Sequence, residues 1–72
     1  MTDETRKRLP GILEQIDTLA YEVEKIHEAE VKEMRAKCEE TDRINAVWVW
    51  EIGQFYKAYT SLNDAFAFLE SF

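Results

Sequence analysis

The 72-residue sequence has little of what usually cross-links or interrupts a small fold: one cysteine, one proline and two glycines. A lone cysteine, Cys38, excludes an internal disulfide and favours a reducing compartment such as the cytoplasm. Proline and glycine are the residues that most often end helices and form turns, so their scarcity predicts long, uninterrupted elements.

Long hydrophobic runs are also missing. The longest apolar runs, such as residues 46–50, have only five residues and are too short to cross a bilayer. The charged N-terminus lacks the apolar segment of a signal peptide. We therefore expect a soluble, cytoplasmic protein that makes no contact with a membrane.

Positive charge is in deficit, with nine Lys and Arg against 15 Asp and Glu and a net charge of −6. A surface of this sign repels a phosphate backbone, so direct binding to nucleic acid is disfavoured. Residues 1–9, which contain the short basic cluster Arg6–Arg8, are predicted to form a flexible charged leader. Residues 10–72 are predicted to form one domain. A chain of this length buries only about 60% of its unfolded surface, so we expect it to gain stability by self-association.

The first half of the chain has helical periodicity. Apolar residues recur at three- and four-residue steps while charged residues occupy the remaining arc, as in an amphipathic helix. The helix is predicted over Pro10–Glu39, with the proline in its first turn. Its apolar face comprises Ile12, Ile16, Leu19, Ala20, Val23, Ile26, His27, Val31, Met34 and Cys38.

The second half is rich in aromatic residues and contains the stretch INAVWVWEIGQFYKAY. Residues 47–50 alternate like a strand, but the longer pattern steps alternately by four and three residues, which predicts a helix over Asp42–Leu69. Gly53 lies inside this helix at a cost of about 1 kcal/mol relative to alanine. We interpret it as a point of close approach by another backbone or a bulky polar group. The apolar stripe comprises Trp48, Ile52, Phe55, Tyr59, Leu62, Phe66 and Leu69.

The segment between these helices is polar but has neither glycine nor proline, so three arrangements stay open. Thr41 or Asp42 is a candidate N-cap for the second helix, and a turn there gives an antiparallel hairpin. The stripe also continues in phase, which allows one unbroken helix. Ser61 and Asp64 fit a capping box, which allows a further break at residues 60–61. The favoured fold is all-α: an antiparallel helical hairpin that dimerises into a four-helix bundle.

A hairpin of this kind places His27 opposite Tyr56 and Glu30 opposite Gly53, and so predicts a polar layer within the core. Glu24 and His27 also have the Glu-x-x-His spacing of di-metal helical bundles, and Glu51 from each chain of a dimer completes that set. Because Glu is abundant in this sequence, a hydrogen-bonded polar layer is the favoured interpretation. No metal or other cofactor is expected.

Residues that carry chemistry are sparse. Cys38 has no histidine beside it to act as a base, and there is no phosphate-binding glycine loop or Ser-His-Asp set. We therefore expect no enzyme. Trp50, Phe68 and Phe72 project outside the apolar stripe and are the candidate contact residues for a partner protein. This pattern favours a small acidic regulatory or adaptor protein that acts through protein–protein contact as a homodimer.

A second hypothesis rests on the acidic flank of the first helix, where Asp17, Tyr21, Glu24 and Glu28 follow one ridge. Such a row of carboxylates could occupy the basic site of a nucleic-acid-binding protein, as an inhibitor that mimics nucleic acid. The competing interpretation is a solvated helix face that keeps a small protein in solution.

Overall fold

The two halves of the chain form two α-helices. A computed structural model describes all 72 residues, with α1 at Asp3–Thr41, α2 at Ala46–Glu70 and a turn between them. Leu9 and Leu13 lie near Leu69 at one end, and Cys38 lies near Trp48 at the other, so the helices run antiparallel. The all-α hairpin is confirmed. The unbroken helix is wrong, and so is the break at residues 60–61, because α2 continues through them.

α1 begins at Asp3 and not, as predicted, at Pro10. The Thr2 side chain accepts a hydrogen bond from the backbone N–H of Thr5 at 3.2 Å and caps the helix. Two acidic residues in the first turn add favourable charge at the positive end of the helix dipole. α1 continues through Pro10, although proline inside a helix ordinarily costs about 3 kcal/mol. Most of the segment predicted as a leader, residues 1–9, is therefore helical.

Two residues define the turn between the helices: one ends α1 and the other begins α2. Asp42 ends α1 in the left-handed conformation, at φ 54° and ψ 33°, and its N–H donates to the carbonyl of Cys38 at 2.8 Å. Asn45 begins α2, because its side chain accepts from the N–H of Trp48 at 3.1 Å. The prediction that Thr41 or Asp42 caps α2 is therefore wrong. The Thr41 hydroxyl instead donates to a carbonyl within α1.

The seam between the helices is the only packed interior of the hairpin. Its positions alternate in steps of three and four on both helices, which is the spacing of shallow helix crossings. Only Ala20 and Ile52 are buried, and the other seam residues are half-buried. On α1 the seam comprises Leu9, Leu13, Ile16, Ala20, Val23, His27, Glu30, Met34 and Cys38; on α2 it is the predicted stripe from Trp48 to Leu69.

The apolar face of α1 is wider than α2 can cover. Ile12, Leu19 and Ile26 were expected in the core with the rest of that face, but all three are exposed, Leu19 by 50%. A single neighbouring helix shields only the middle of a broad apolar arc. Residues at its border, here spaced by seven, therefore remain in contact with solvent.

Gly53 does not mark a close approach within the hairpin. A Cβ atom built at this position meets no side chain and no backbone of α1 within 4 Å, and the backbone there does not have the positive φ that favours glycine. The interpretation of Gly53 as the place where a bulky group enters the core is therefore wrong for this chain.

We predict that Gly53→Ala stabilises the hairpin by about 0.5–1 kcal/mol, since alanine restricts the unfolded chain and has the higher helix propensity. Urea unfolding followed by circular dichroism measures the change. Ala29→Gly, at an exposed position of α1, is the matched control and should lose a similar amount. Destabilisation by Gly53→Ala would show that another chain packs against this position.

Candidate protein-interaction surface

His27 lies in an aromatic cluster at the middle of the seam. Its ring centroid is 5.8 Å from that of Tyr56 and 5.5 Å from that of Tyr59, and the two tyrosine rings meet edge to face at 5.4 Å. The predicted pairing of His27 with Tyr56 is confirmed. Partial burial raises the pKa of the Tyr59 hydroxyl above its ordinary value, and the neighbouring Tyr56 adds to the effect.

Glu30 supplies the one side-chain hydrogen bond that joins the two helices. Its carboxylate accepts from the indole Nε1–H of Trp48 at 2.7 Å, in a partly buried position. Glu30 was expected opposite Gly53; its carboxylate accepts from Trp48, which lies five residues nearer the start of α2. The backbone N–H of Trp48 is held by Asn45, so one residue fixes the start of α2 both to the turn and to α1.

We predict that Trp48→Phe, which removes the indole donor, destabilises the hairpin by about 1–2 kcal/mol, because a partly buried carboxylate then lacks its partner. Glu30→Leu should relieve this loss in the double variant, since replacing both polar groups by apolar ones is nearly neutral. A double-mutant cycle from urea unfolding measures the coupling, expected at about 1 kcal/mol. Losses that simply add would contradict a stabilising role for the hydrogen bond.

Two opposite edges flank the seam, and helical geometry assigns residues to them. Glu24 and Tyr56 share one edge, since the ring of His27, one helical turn after Glu24, packs against the ring of Tyr56 at 5.8 Å. Ile26 is about 200° around α1 from Glu24, and Ala58 is about 200° around α2 from Tyr56. These last two residues therefore share the other edge.

We call the first edge the acidic edge, with Asp17, Glu24, Glu28 and Tyr56, and the second the aliphatic edge. The aliphatic edge is formed by residues that recur every seven positions on each helix, which places them in line along the hairpin. Its members are Ile12, Leu19 and Ile26 on α1 and Ala58 and Ala65 on α2.

The residues of the metal hypothesis do not come together in one chain. Glu24 and His27 lie one turn apart on α1, but Glu51, seven residues before Ala58, lies toward the aliphatic edge. No group of three His, Cys, Asp or Glu side chains is placed to hold a metal ion.

The acidic ridge of the mimicry hypothesis contains a positive charge. Lys25 Nζ lies 3.4 Å from a carboxylate oxygen of Glu28 and 5.2 Å from the ring centroid of Tyr21. The Glu28 carboxylate, with a smaller effect from Tyr21, raises the pKa of the Lys25 ammonium. Asp17 and Glu24 belong to the same ridge, but the row of negative charge along it is interrupted.

The predicted contact residues lie outside the seam but at opposite ends of the hairpin. Trp50 is 65% exposed near the turn, and Phe68 and Phe72 are exposed at the other end. Trp50 and Phe68 are 18 residues apart on one helix, or about 27 Å. Phe72 lines a shallow groove with Leu9 at the terminal end. These aromatics therefore form two separate surfaces.

Near the turn, Trp50 has exposed apolar neighbours. Ile44 and Val47 are both exposed, and Val47 precedes Trp50 by one helical turn, so the two share a face. Ile44 lies in the turn just before α2, where it borders Cys38 and Trp48. We call Ile44, Val47 and Trp50 the apolar tip.

Neither helix has a segment apolar and uncharged enough to span a bilayer. The chain matches no protein-family model, no curated protein sequence and no solved structure.

Proposed function

We propose that this chain is a small acidic, non-enzymatic regulatory or adaptor protein that acts through protein–protein contact as a homodimer. One observation carries the proposal: only two of 72 residues are buried, whereas twelve large hydrophobic side chains are exposed. Exposed apolar patches, such as the aliphatic edge and the apolar tip, are typical of chains that bind other chains.

The accessible surface area of the chain is larger than that of a compact monomer, which supports association. The chain exposes 5961 Å², whereas a compact monomer of its mass, 8.5 kDa, exposes about 4,700 Å², so the excess is about 1,300 Å². Its radius of gyration is 16.9 Å, against about 11 Å for a globular domain of this length. A stable dimer buries about 800 Å² or more per subunit. The excess is therefore sufficient for one such interface.

The shape of the hairpin explains where this excess comes from. The molecule measures 57 × 15 × 14 Å, so it is a single layer of two helices. Domains ordinarily bury their apolar faces between two layers. A second copy supplies the second layer and gives the four-helix bundle.

The apolar tip is the proposed contact with a different protein. It combines a tryptophan with two aliphatic side chains, and tryptophan is the residue type most enriched among those that dominate binding energy. The capped start of α2 holds Trp50 on a rigid element. The tip therefore suits a partner with an apolar pocket, and Phe68 and Phe72 form a separate, second contact at the other end.

The two alternative functions have less support. A nucleic-acid mimic needs a continuous row of negative charge, and Lys25 interrupts the ridge formed by Asp17, Glu24 and Glu28. A di-metal bundle needs Glu24, His27 and Glu51 of both chains to converge on one site, whereas Glu24 and Glu51 lie toward opposite edges of the hairpin.

We predict that Trp50→Ala reduces the recovery of partner proteins on the immobilised chain at least about tenfold, which corresponds to about 1.4 kcal/mol. Helicity should not change, because Trp50 lies outside the seam. The measurement is quantitative mass spectrometry of captured proteins, with circular dichroism of each variant.

Tyr21→Ala is the matched control, since Tyr21 is 61% exposed on α1 and lies away from the tip. It should recover the same proteins as the unaltered chain. Equal recovery by Trp50→Ala would exclude the tip as the contact. Loss of helicity in Trp50→Ala would instead place this residue in a core formed by association.

A further inference from the structure

We propose that a second copy of this chain docks on the aliphatic edge, related by a two-fold axis that passes beside Leu19, with the turns of the two hairpins at opposite ends. This inference rests on the self-association in the proposed function. It adds which face is buried and how the two copies are oriented.

The composition of the aliphatic edge distinguishes it from the other edge. Along α1 it has three large aliphatic residues about 10 Å apart, Ile12, Leu19 and Ile26. Along α2 it has small residues, Ala58 and Ala65, which let a neighbouring helix come close. The acidic edge instead carries carboxylates and a lysine. Only the aliphatic edge is a continuous apolar strip between the two helices.

The spacing of this strip makes it self-complementary. In a two-fold interface, if residue i of one copy contacts residue j of the other, then residue j of the first copy contacts residue i of the second. With Leu19 on the axis, Leu19 meets itself and Ile12 meets Ile26 of the second copy. His27 faces Tyr56 and Tyr59 across the seam, so Leu19, eight residues earlier, is level with Ala65. The small residue therefore lies beside the axis as well.

Charge selects between the two orientations that a two-fold axis allows. Glu33 follows Ile26 by seven residues and Glu51 precedes Ala58 by seven, so both continue the aliphatic edge toward the turn. If both turns lay at the same end, four carboxylates would meet in the interface. With the turns at opposite ends, Glu33 comes level with position 5 of the second copy, about one helical turn from Arg8, which precedes Ile12 by four residues and is the member of the basic cluster on the aliphatic edge. Opposite charges then meet at both ends of the interface.

This orientation leaves the apolar tips free. On α2 the contact between copies is centred at Ala65, and Trp50 lies too far along the helix to have a counterpart in the second copy. The dimer therefore presents one apolar tip at each end of the bundle. Self-association and partner binding use different surfaces.

The first test is sedimentation equilibrium of the full chain over a concentration series. The unaltered chain should be a dimer. Leu19→Glu should raise the dissociation constant at least about a hundredfold, because the symmetry buries two unpaired charges against each other. Tyr21→Glu is the control: Tyr21 has similar exposure, 61% against 50% for Leu19, but lies away from the aliphatic edge, and its variant should remain dimeric. Circular dichroism verifies that both variants stay helical.

The second test fixes the orientation with cysteines placed in the Cys38→Ser background. Leu19→Cys should cross-link to itself with a short bis-maleimide reagent, and Asp17→Cys on the acidic edge should not. If the turns were at the same end, Leu19→Cys would instead cross-link to Ala65→Cys when the two variants are mixed.

The outcomes of these tests distinguish failure of the homodimer itself from failure of the proposed docking face or orientation. A monomer at every concentration would overturn the homodimer of the proposed function, and this inference with it. A dimer that survives Leu19→Glu and gives no cross-link at position 19 would overturn the docking face alone. Cross-linking only between positions 19 and 65 would overturn the orientation. Dissociation by Leu19→Glu together with self-cross-linking at position 19 supports the whole proposal.

Discussion

Each helix of this hairpin has a single neighbour, and that constraint governs the rest of the structure. One neighbouring helix shields a narrow arc, enough for a seam of alternating three- and four-residue steps but not for a closed core. Only Ala20 and Ile52 are buried as a result. The apolar residues beyond the seam are left without a partner in the same chain, which is why self-association is the central element of the proposed function.

The seam itself shows how a thin interface is kept in register. The hydrogen bond from the Trp48 indole to Glu30 joins the helices near the turn, and the cluster of His27, Tyr56 and Tyr59 joins them at the middle. Directional and aromatic contacts of this kind specify one alignment where apolar packing alone would tolerate a shift of one turn. A fixed register, in turn, is what places the aliphatic edges of the two helices side by side.

The sequence predicted the helices and their pairing well, because the repeat of apolar residues and the apolar stripe that it forms depend only on neighbouring positions in the chain. The alternating steps from Trp48 to Leu69 identified the α2 seam, and the hairpin geometry placed His27 against Tyr56. Helix ends were less predictable, since Thr2 and Asn45 act through single hydrogen bonds that compete with other caps nearby. The division of the α1 apolar face between seam and edge could not be read from α1 alone. It depends on how much of that face α2 covers, so Ile12, Leu19 and Ile26 were expected in the core.

The candidate interaction surface, like the fold, was predictable from the sequence only in part. Exposure of Trp50 was evident from its position on the back of the α2 stripe, but the place of Ile44 at the same end of the hairpin required the location of the turn. The division of the exposed aromatic residues into two surfaces also depended on where the turn lies.

The most direct test of the central claim, that the hairpin completes its core with a second copy, is thermal unfolding by circular dichroism over roughly a thousandfold range of protein concentration. A stable homodimer predicts that Tm rises with concentration by about 10 °C over that range. A Tm that does not change with concentration would show that the hairpin folds alone, and would contradict the account.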